Sequence, residues 1–482
     1  MPTSAIVSAF RAAAAQHPDK PALISGDQIV TYRQLESQIA ATAQAIAQRV
    51  PGDTVALLIP NSLAFAPAFL GALWAGKTVT VLPTLAPPQI LKLMVASVGA
   101  GLVITSEEFV PRLVEAGIPC WLYEGTDSSD PASVRIAERK REAAVFLFTS
   151  GTTGMPKTVE LSERNILDNA KGCSDATGFD GNQIMLAVLP LFHAYGLTVT
   201  LLLPLTTGST VVIEKFVPRQ ILQTIEKLRV TCLIAVPNQY RLLTKEPVPA
   251  DLSSIWLAIA GGERLPEQVA LEFEQRFHKT IVQGYGATEV SPVISLNVPE
   301  TNRFGSVGKP LPNVKVTIRD ENDAVLPAAE IGEVCVEGSS IMLGYHNDAQ
   351  STANKIRNRV LHTGDRGFFD ADGYLHLVGR ADDLVKVSGE KVYPAEVETA
   401  VENIAGVEEV AVLAFPDEKH GSRLQAYVQL KAGASQNENS LRAACREMLE
   451  PFKVPRSFTI LEALPRTATG KTDKRALATI AV

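Results

Sequence analysis

The stretch Thr149-Ser150-Gly151-Thr152-Thr153-Gly154-Met155-Pro156-Lys157 follows directly on the apolar run from Ala143 to Phe148. Glycines let backbone N–H groups approach an anion, hydroxyl groups add donors, and a lysine supplies a mobile positive charge. The stretch therefore predicts a phosphate-binding loop at the end of a buried strand. It is not a Walker A loop, because Lys157 follows Pro156 and precedes Thr158, whereas that motif ends in Gly-Lys-Ser/Thr.

The composition is that of an ordinary globular protein: 482 residues, 46% hydrophobic and 20% charged, with a formal net charge of −7. The negative balance argues against a nucleic-acid partner. Five scattered cysteines without Cys-x-x-Cys spacing indicate neither a disulfide framework nor a zinc site. We therefore expect a cytoplasmic location.

No membrane-spanning or secretory segment is expected. The most apolar stretches, Ala64 to Ala75 and Leu197 to Leu205, each contain a proline. Both are shorter than the roughly 20 residues that a transmembrane helix needs. The amino terminus lacks the layout of a signal peptide.

The first two-thirds of the chain alternate short β-branched runs with helical patterns, which predicts an α/β fold with parallel sheets. The predicted strands are Thr54 to Ile59, Thr78 to Leu82, Gly101 to Ile104, Ser209 to Ile213, Val230 to Val236 and Ile255 to Ala260. The predicted helices between them include Thr31 to Arg49, Pro88 to Ser97, Pro218 to Leu228 and Pro266 to Phe277. From about Phe304 short strands and turns predict a β-rich subdomain, and after Arg380 about a hundred residues predict a compact α+β unit.

Five further segments accompany the opening loop. They are Pro190-Leu191-Phe192-His193-Ala194-Tyr195-Gly196, Gly284-Tyr285-Gly286-Ala287-Thr288-Glu289, His362-Thr363-Gly364-Asp365, Gly379-Arg380-Ala381-Asp382-Asp383 and Arg466-Thr467-Ala468-Thr469-Gly470-Lys471. In this order and at these separations the segments resemble the adenylate-forming superfamily of acyl-CoA synthetases, carrier-loading adenylation enzymes and luciferases. The resemblance covers essentially the whole chain.

The resemblance implies a large N-terminal domain, residues 1–381, of stacked, mostly parallel sheets with helices. A β-rich subdomain at about 304–381 completes it. A small mobile α+β C-terminal domain, residues 382–482, follows a hinge at Asp382.

The implied first reaction is attack of a substrate carboxylate on the α-phosphate of ATP, giving acyl-AMP and pyrophosphate. Both partners are anionic, so catalysis needs charge neutralisation and alignment. By the resemblance, the loop residues Thr149, Ser150, Gly151, Thr152, Thr153, Gly154 and Lys157 bind the β- and γ-phosphates. Thr288 and Glu289 place Mg²⁺ and the α-phosphate, with Glu289 as the metal ligand.

The same resemblance names the residues that bind the nucleoside and gives Lys471 a catalytic role. Tyr285, with Gly286, stacks on adenine opposite Gly262-Glu263-Arg264, and Asp365 accepts both ribose hydroxyls. Arg380 contacts the ribose or the phosphates. Lys471 bridges the α-phosphate and the substrate carboxylate.

A second half-reaction is implied, in which the C-terminal unit rotates, withdraws Lys471 and brings Leu384 to Lys391 to the site. A thiol of coenzyme A or of a phosphopantetheine carrier protein then attacks the adenylate. Lys386, Ser388 and Gly389 lie on this predicted thiol path, where a missing side chain permits close passage.

The acyl pocket is expected to include His193, Gly261, Gly262 and Gly284. Amino-acid-activating relatives place an aspartate where this chain has His193. This difference argues against an amino acid as the substrate. The segments look most like those of medium- or long-chain fatty-acid synthetases. An enzyme for an aryl acid or another small acid, loading a separate carrier protein, is the alternative, and a nucleotide-binding regulatory protein with degenerate catalysis is a rival of another class.

Two departures from the family pattern stand out. Thr158 replaces the usual glycine after Lys157, and Ser162-Glu163 replaces a Thr-His pair. Their effect on the acyl or nucleotide site is left open by the sequence.

Overall fold

A computed structural model describes residues 4–125, 129–149, 157–417, 421–467 and 471–480. Residues 150–156 lie outside these ranges. The predicted phosphate contacts of Ser150, Gly151, Thr152, Thr153 and Gly154 therefore fall outside the described residues.

A nine-stranded sheet forms one layer of the N-terminal unit. Its six central strands run parallel, and antiparallel strands close both edges. In spatial order the strands are Lys309–Pro310, Val293–Leu296, Ile281–Gly286, Leu257–Ala260, Cys232–Ala235, Ile184–Ala187, Thr210–Ile213, Pro21–Ser25 and Gln28–Thr31.

A seven-stranded sheet forms the second layer and carries the two ends of the opening loop. In spatial order its strands are Gly344–Tyr345, Lys157–Ser162, Ala143–Thr149, Thr78–Val81, Thr54–Leu58, Val103–Thr105 and Cys120–Leu122. Thr149 and Lys157 are partners in the antiparallel register. Thr149 and Lys157, on either side of residues 150–156, therefore lie side by side at the end of two adjacent strands.

Helices cover the sheets, as the alternating pattern predicts. In the N-terminal unit they are Ala5–Gln16, Tyr32–Arg49, Phe65–Trp74, Pro88–Ser97, Val110–Glu115, Glu163–Thr177, the π-helix Tyr195–Leu202, Leu203–Thr207, Pro218–Leu228, Pro237–Lys245, Glu267–Phe277 and Ala349–Lys355. Single 3₁₀ turns lie at Glu107–Phe109, Pro131–Ser133, Thr288–Val290 and Pro299–Thr301. One core cluster joins both sheets and includes the fully buried Trp74, Tyr32, Phe10 and Phe69.

Glu163, one of the two departures from the family pattern, connects three segments of the N-terminal unit. The residue is 7% exposed, its Oε2 accepts a hydrogen bond from the backbone N of Ile6 at 2.9 Å, and its Oε1 pairs with Arg139. The carboxylate thus ties the first helix and the segment before Ala143 to the helix Glu163–Thr177. Thr158 lies within a strand, and its carbonyl accepts from the backbone N of His346 at 2.8 Å.

An antiparallel five-stranded sheet follows as the β-rich part. Its strands are Val314–Arg319, Gly332–Gly338, Ile356–Arg357, Val360–Phe369 and Leu375–Arg380. The long strand Val360–Phe369 contains the His362-Thr363-Gly364-Asp365 segment and pairs with the strand that ends at Arg380.

The C-terminal unit is a smaller α+β body with its own core cluster. Its strands are Val385–Val387, Glu390–Val392, Val407–Asp417, Gly421–Leu430 and Ser457–Leu461, and its helices are Pro394–Glu402, Glu438–Met448 and Lys474–Ile480, with 3₁₀ turns at Ala381–Asp383 and Pro451–Lys453. The predicted fold class, a large α/β unit followed by a small α+β unit, is confirmed. Among the described residues, none of the helices combines the length and apolar character needed to cross a bilayer.

Candidate active site

A cavity of about 390 Å³ opens at the carboxyl ends of the parallel strands of the nine-stranded sheet. Open α/β sheets bind ligands at this edge. The cavity is closed from the other side by Thr467 and Lys471 of the C-terminal unit. Its remaining lining residues include Phe148, Thr149, Cys173, Thr177, Phe179, Met185, Leu189, His193, Tyr195, Val199, Leu203, Ile234, Val236, Ile259, Gly261, Gly262, Gly284, Tyr285, Gly286, Thr288 and Leu296.

Lys471 points into this cavity against the Gly261-Gly262 turn. A Cβ built on Gly262 would lie 3.4 Å from Cε of Lys471. The backbone N of Thr472 donates a hydrogen bond of 3.1 Å to Oε1 of Glu263. Burial lowers the pKa of the Lys471 ammonium, and the nearby Glu263 carboxylate opposes that effect. The structure therefore places a partly desolvated cation in the wall of the cavity.

Gly261 and Tyr195 form one wall of the cavity. A Cβ on Gly261 would lie only 2.6 Å from Cε1 of Tyr195, so this position has no room for a side chain. The π-helix Tyr195–Leu202 supplies Val199 to the same wall.

His193 lies at the polar end of the cavity. Its backbone N donates to the carbonyl of Pro190 at 3.1 Å, and its ring lies 4.5 Å from that of Phe192. Nε2 is buried and has no hydrogen-bond partner within the described part of the chain. Burial, together with the charge of Lys471, lowers the pKa of the imidazole to about 4. His193 is therefore a neutral imidazole with an unused ring nitrogen in the cavity wall.

Tyr285 lines the cavity and contacts Asp365, which lies behind it. The hydroxyl of Tyr285 donates to Oδ2 of Asp365 at 2.5 Å, and Nε of Arg380 lies 3.9 Å from Oδ1. Burial raises the pKa of Asp365, while the Tyr285 hydroxyl and the positive charges of Arg380 and Lys355 oppose the rise.

Glu289 follows Tyr285 and Gly286 on the same segment. Its Oε1 accepts from the hydroxyl of Tyr345 at 2.8 Å. Nζ of Lys157 lies 4.9 Å from the centroid of the Tyr345 ring and donates to Oγ of Ser351 at 3.0 Å. The base of the opening loop and the Thr288-Glu289 pair therefore share a neighbour, Tyr345.

The structure adds residues that the sequence reading missed. Nζ of Lys355 donates to the carbonyl of Thr363 at 2.6 Å, and Oε1 of Glu333 accepts from the backbone N of Gly364 at 3.0 Å. Both side chains shape the turn that presents Asp365. Glu333 and Gly364 lie 31 positions apart, so no local spacing reveals the contact.

Several predicted residues lie away from the cavity. Nη1 of Arg264 pairs with Oε2 of Glu402 in the C-terminal unit at 2.6 Å. Ser388 lines a different groove, within the C-terminal unit, and Lys386 and Gly389 are exposed. The side chain of Asp382 lies outside the described part.

Comparison with known families decides what this arrangement is. The model described as "AMP-binding enzyme" matches residues 10–346, and the model of its C-terminal domain matches residues 396–471. The chain belongs to the AMP-binding enzyme family. It is an acid–thiol ligase, which activates a carboxylic acid with ATP to an acyl-AMP and then transfers the acyl group to a thiol.

Relatives of this AMP-binding enzyme match over nearly their whole length. A long-chain-fatty-acid–CoA ligase of Bacillus subtilis is 30% identical, covering 99% of this chain and 94% of the relative. A feruloyl-CoA synthase of an Amycolatopsis species is 31% identical, covering 94% of each. The crystal structure of ATP-bound MatB from Rhodopseudomonas palustris superposes with a TM-score of 0.92 at 25% identity, covering 99% of both chains.

Proposed function

We propose that this AMP-binding enzyme acts on a medium- or long-chain fatty acid and uses coenzyme A as the thiol acceptor. The observation that carries the proposal is the chemistry of the cavity wall. Lys471 is the only charged side chain among the described residues that line the cavity, and it stands at the end shared with the C-terminal unit. The wall beyond it is mostly hydrocarbon, and its uncharged polar side chains are the His193 imidazole, one thiol and hydroxyl groups.

Such a wall selects against acids that carry a second charge. Burying a neutral polar group without a hydrogen-bond partner costs roughly 1–3 kcal/mol. Burying a distal carboxylate without a cation costs more, several kcal/mol. A hydrocarbon tail gains about 0.8 kcal/mol for each buried methylene. The relatives named for fatty-acid and feruloyl substrates are compatible with an apolar wall.

In the proposed first step a carboxylate oxygen attacks the α-phosphorus, and the bond between that phosphorus and the oxygen leading to the β-phosphate breaks. Pyrophosphate leaves. Lys471 would neutralise the carboxylate and the α-phosphate together, and Lys157 with Thr149 would meet the outer phosphates. The partly desolvated ammonium of Lys471 is suited to this role because its charge is poorly screened by water.

The nucleoside would lie between Tyr285-Gly286 and Gly262-Glu263. Asp365 would accept hydrogen bonds from both ribose hydroxyls, held in place by Tyr285 and faced by Arg380. His193, neutral at physiological pH, would stand at the junction of acyl chain and carboxylate and gate the entry of the acid.

The site also suits Mg²⁺. Glu289 offers a half-buried carboxylate with one oxygen on the Tyr345 hydroxyl, and carboxylate oxygen is the ligand that Mg²⁺ prefers. When bound, the ion would neutralise phosphate charge. Glu289 would hold it, with Thr288 beside the α-phosphate.

The second step would follow rotation of residues 382–482 about Asp382. Lys471 would leave, and the hairpin bearing Lys386, Ser388 and Gly389 would enter. The thiol sulfur then attacks the acyl carbonyl carbon, the thiol proton is released and AMP departs. The relatives are named as a CoA ligase and a CoA synthase, which favours coenzyme A over a carrier protein. All five cysteines are free thiols, which agrees with a cytoplasmic location.

The test is a substrate panel scored by acid-dependent pyrophosphate release in the presence of ATP and Mg²⁺. Octanoate, dodecanoate and palmitate are compared with ferulate, benzoate and malonate, and coenzyme A is compared with a phosphopantetheinylated carrier protein. A preference for one or more fatty acids with coenzyme A supports the proposal. A preference for ferulate or benzoate with a carrier protein would replace it by the aryl-acid alternative.

A further inference from the structure

The residues on either side of 468–470 pair in antiparallel fashion, and we call Pro465 to Thr467 with Lys471 to Asp473 the Lys471 hairpin. The backbone N of Thr467 donates to the carbonyl of Lys471 at 2.8 Å, and the backbone N of Asp473 donates to the carbonyl of Pro465 at 2.8 Å. At the base of the hairpin Nη1 of Arg466 donates to Oγ1 of Thr472 at 3.1 Å. The position of Lys471 therefore depends on how Arg466 and Thr472 are held.

Glu409 holds this base. Its Oε2 accepts from Nη2 of Arg466, and its Oε1 accepts from Oγ1 of Thr472 at 3.2 Å. Oε2 also accepts from Nη1 of Arg241 at 2.6 Å, and Arg241 belongs to the helix Pro237–Lys245 of the N-terminal unit, 168 positions away. One carboxylate thus joins the hairpin base to a helix of the other unit.

This contact is withdrawn from water, unlike its neighbours. The side chains of Arg241 and Glu409 are 8% and 10% exposed. The surrounding pairs between the two units, Arg264–Glu402 and Lys431–Glu272, involve side chains that are 45% and 36% exposed on the basic partner. Exposed pairs contribute little, whereas removing one member of a buried pair leaves an uncompensated charge.

We propose that Glu409 is a positioning residue for adenylation: through Arg241 on one side and Arg466 and Thr472 on the other, it holds Lys471 in the cavity. This inference rests on the proposed role of Lys471. Glu409 does not line the cavity, so it acts only through the hairpin.

The Arg241–Glu409 contact favours one of the two proposed orientations of the C-terminal unit. Arg241 and Glu409 belong to the two units that the proposed rotation moves apart, so the pair exists in the adenylating orientation and is lost when Lys471 leaves. Its energy therefore biases the equilibrium between orientations toward the first step. Removing it should weaken adenylation and leave thioester formation intact.

The test separates the two half-reactions in the full-length protein. Glu409→Gln keeps the shape of the side chain and removes the charge. We expect acid-dependent ATP–pyrophosphate exchange to fall at least about tenfold, while thioester formation from preformed acyl-AMP and coenzyme A stays within about twofold. Arg241→Met, made from the other side of the contact, should give the same split, and Glu409→Asp should restore part of the exchange.

Glu438→Gln is the matched control, because Glu438 forms an exposed pair with Arg442 on the C-terminal unit. It should leave both half-reactions unchanged. Equal loss of both half-reactions in Glu409→Gln and Arg241→Met would show a merely structural role, and unchanged exchange would show an idle contact. Either result overturns the inference. If Lys471→Ala keeps exchange, the proposed role of Lys471 itself fails; if Lys471→Ala loses exchange and Glu409→Gln keeps it, only the positioning role fails.

Discussion

His193 and Lys471 line the same cavity, and burial together with the Lys471 charge lowers the pKa of His193 to about 4. A histidine in water titrates near pH 6.5, so this one stays neutral in the folded protein across the physiological range. The cavity wall thus holds one cation, Lys471, and one neutral imidazole whose Nε2 has no hydrogen-bond partner among the described residues.

A first prediction concerns this neutral state. Because the folded pKa lies below the unfolded one, the contribution of His193 to stability is fully present above about pH 6.5 and is lost as the pH falls toward 4. His193→Asn should flatten the pH dependence of the melting temperature in that window. In the wild type, kcat/KM for adenylation should show no inflection near pH 6.5. An inflection there that disappears in His193→Asn would contradict the neutral assignment.

A second prediction concerns Glu163, whose carboxylate is bonded to Ile6 and Arg139. Glu163→Gln leaves the Arg139 side chain, which is 11% exposed, without its counter-charge and should lower the free energy of unfolding by about 3 kcal/mol. KM for ATP and for the acid should stay within about twofold, because the side chain lies outside the cavity lining. Thermal unfolding and steady-state kinetics check this, with Asp175→Asn in the exposed Lys171–Asp175 pair as the control. A large change in KM at an unchanged free energy of unfolding would show instead that Glu163 acts in substrate binding or catalysis.

A third prediction separates Asp365 from Tyr285. If Asp365 accepts two ribose hydroxyls, Asp365→Ala should reduce kcat/KM for ATP by about a hundredfold or more, since hydrogen bonds to a charged group contribute about 1.5–3 kcal/mol each. Tyr285→Phe removes only the 2.5 Å bond that orients Asp365, and should cost about fivefold. KM for the acid should change in neither variant. Equal losses would indicate that Asp365 serves Tyr285 rather than the nucleotide.

A fourth prediction tests the apolar wall. Wild-type kcat/KM should rise about fourfold with each added methylene until the cavity is filled. Val199→Phe adds bulk to the wall formed by the π-helix and so shortens the space for the acyl chain. The chain length with the highest kcat/KM should therefore decrease, while kcat/KM for short acids should stay unchanged. Val110→Phe is the comparison variant, because Val110 lies on a helix that contributes no residue to the cavity lining. An unchanged chain-length profile in Val199→Phe would place the acyl chain elsewhere.

Many helices and strands could be predicted from the sequence, because local features such as a proline at the first turn of a helix mark their ends. The helices Pro88–Ser97 and Pro218–Leu228 have the predicted bounds, since a proline at the first turn marks each start. Strand ends are less accurate: Gly101 to Ile104 is observed as Val103–Thr105, because the polar Thr105 pairs with Leu58 and Leu122 of the neighbouring strands while Gly101 lies outside the strand.

Contacts between distant segments could not be predicted. The motif residues could be named because each occupies a short segment with its own chemistry. Glu333, Lys355 and Glu409 lack such a segment, and their importance depends on partners that only folding brings near. The buried pair of Glu409 with Arg241 spans the two units, and a lone glutamate in a strand pattern indicates nothing of it.

Lys471 offers the most direct test of the account. Phosphorus NMR of full-length protein with ATP, Mg²⁺ and a fatty acid should show AMP and pyrophosphate appearing together with the thioester once coenzyme A is added. Lys471→Ala should abolish the formation of AMP and pyrophosphate while still converting preformed acyl-AMP to thioester. Appearance of ADP and inorganic phosphate in the wild type, or undiminished AMP and pyrophosphate formation in Lys471→Ala, would contradict it.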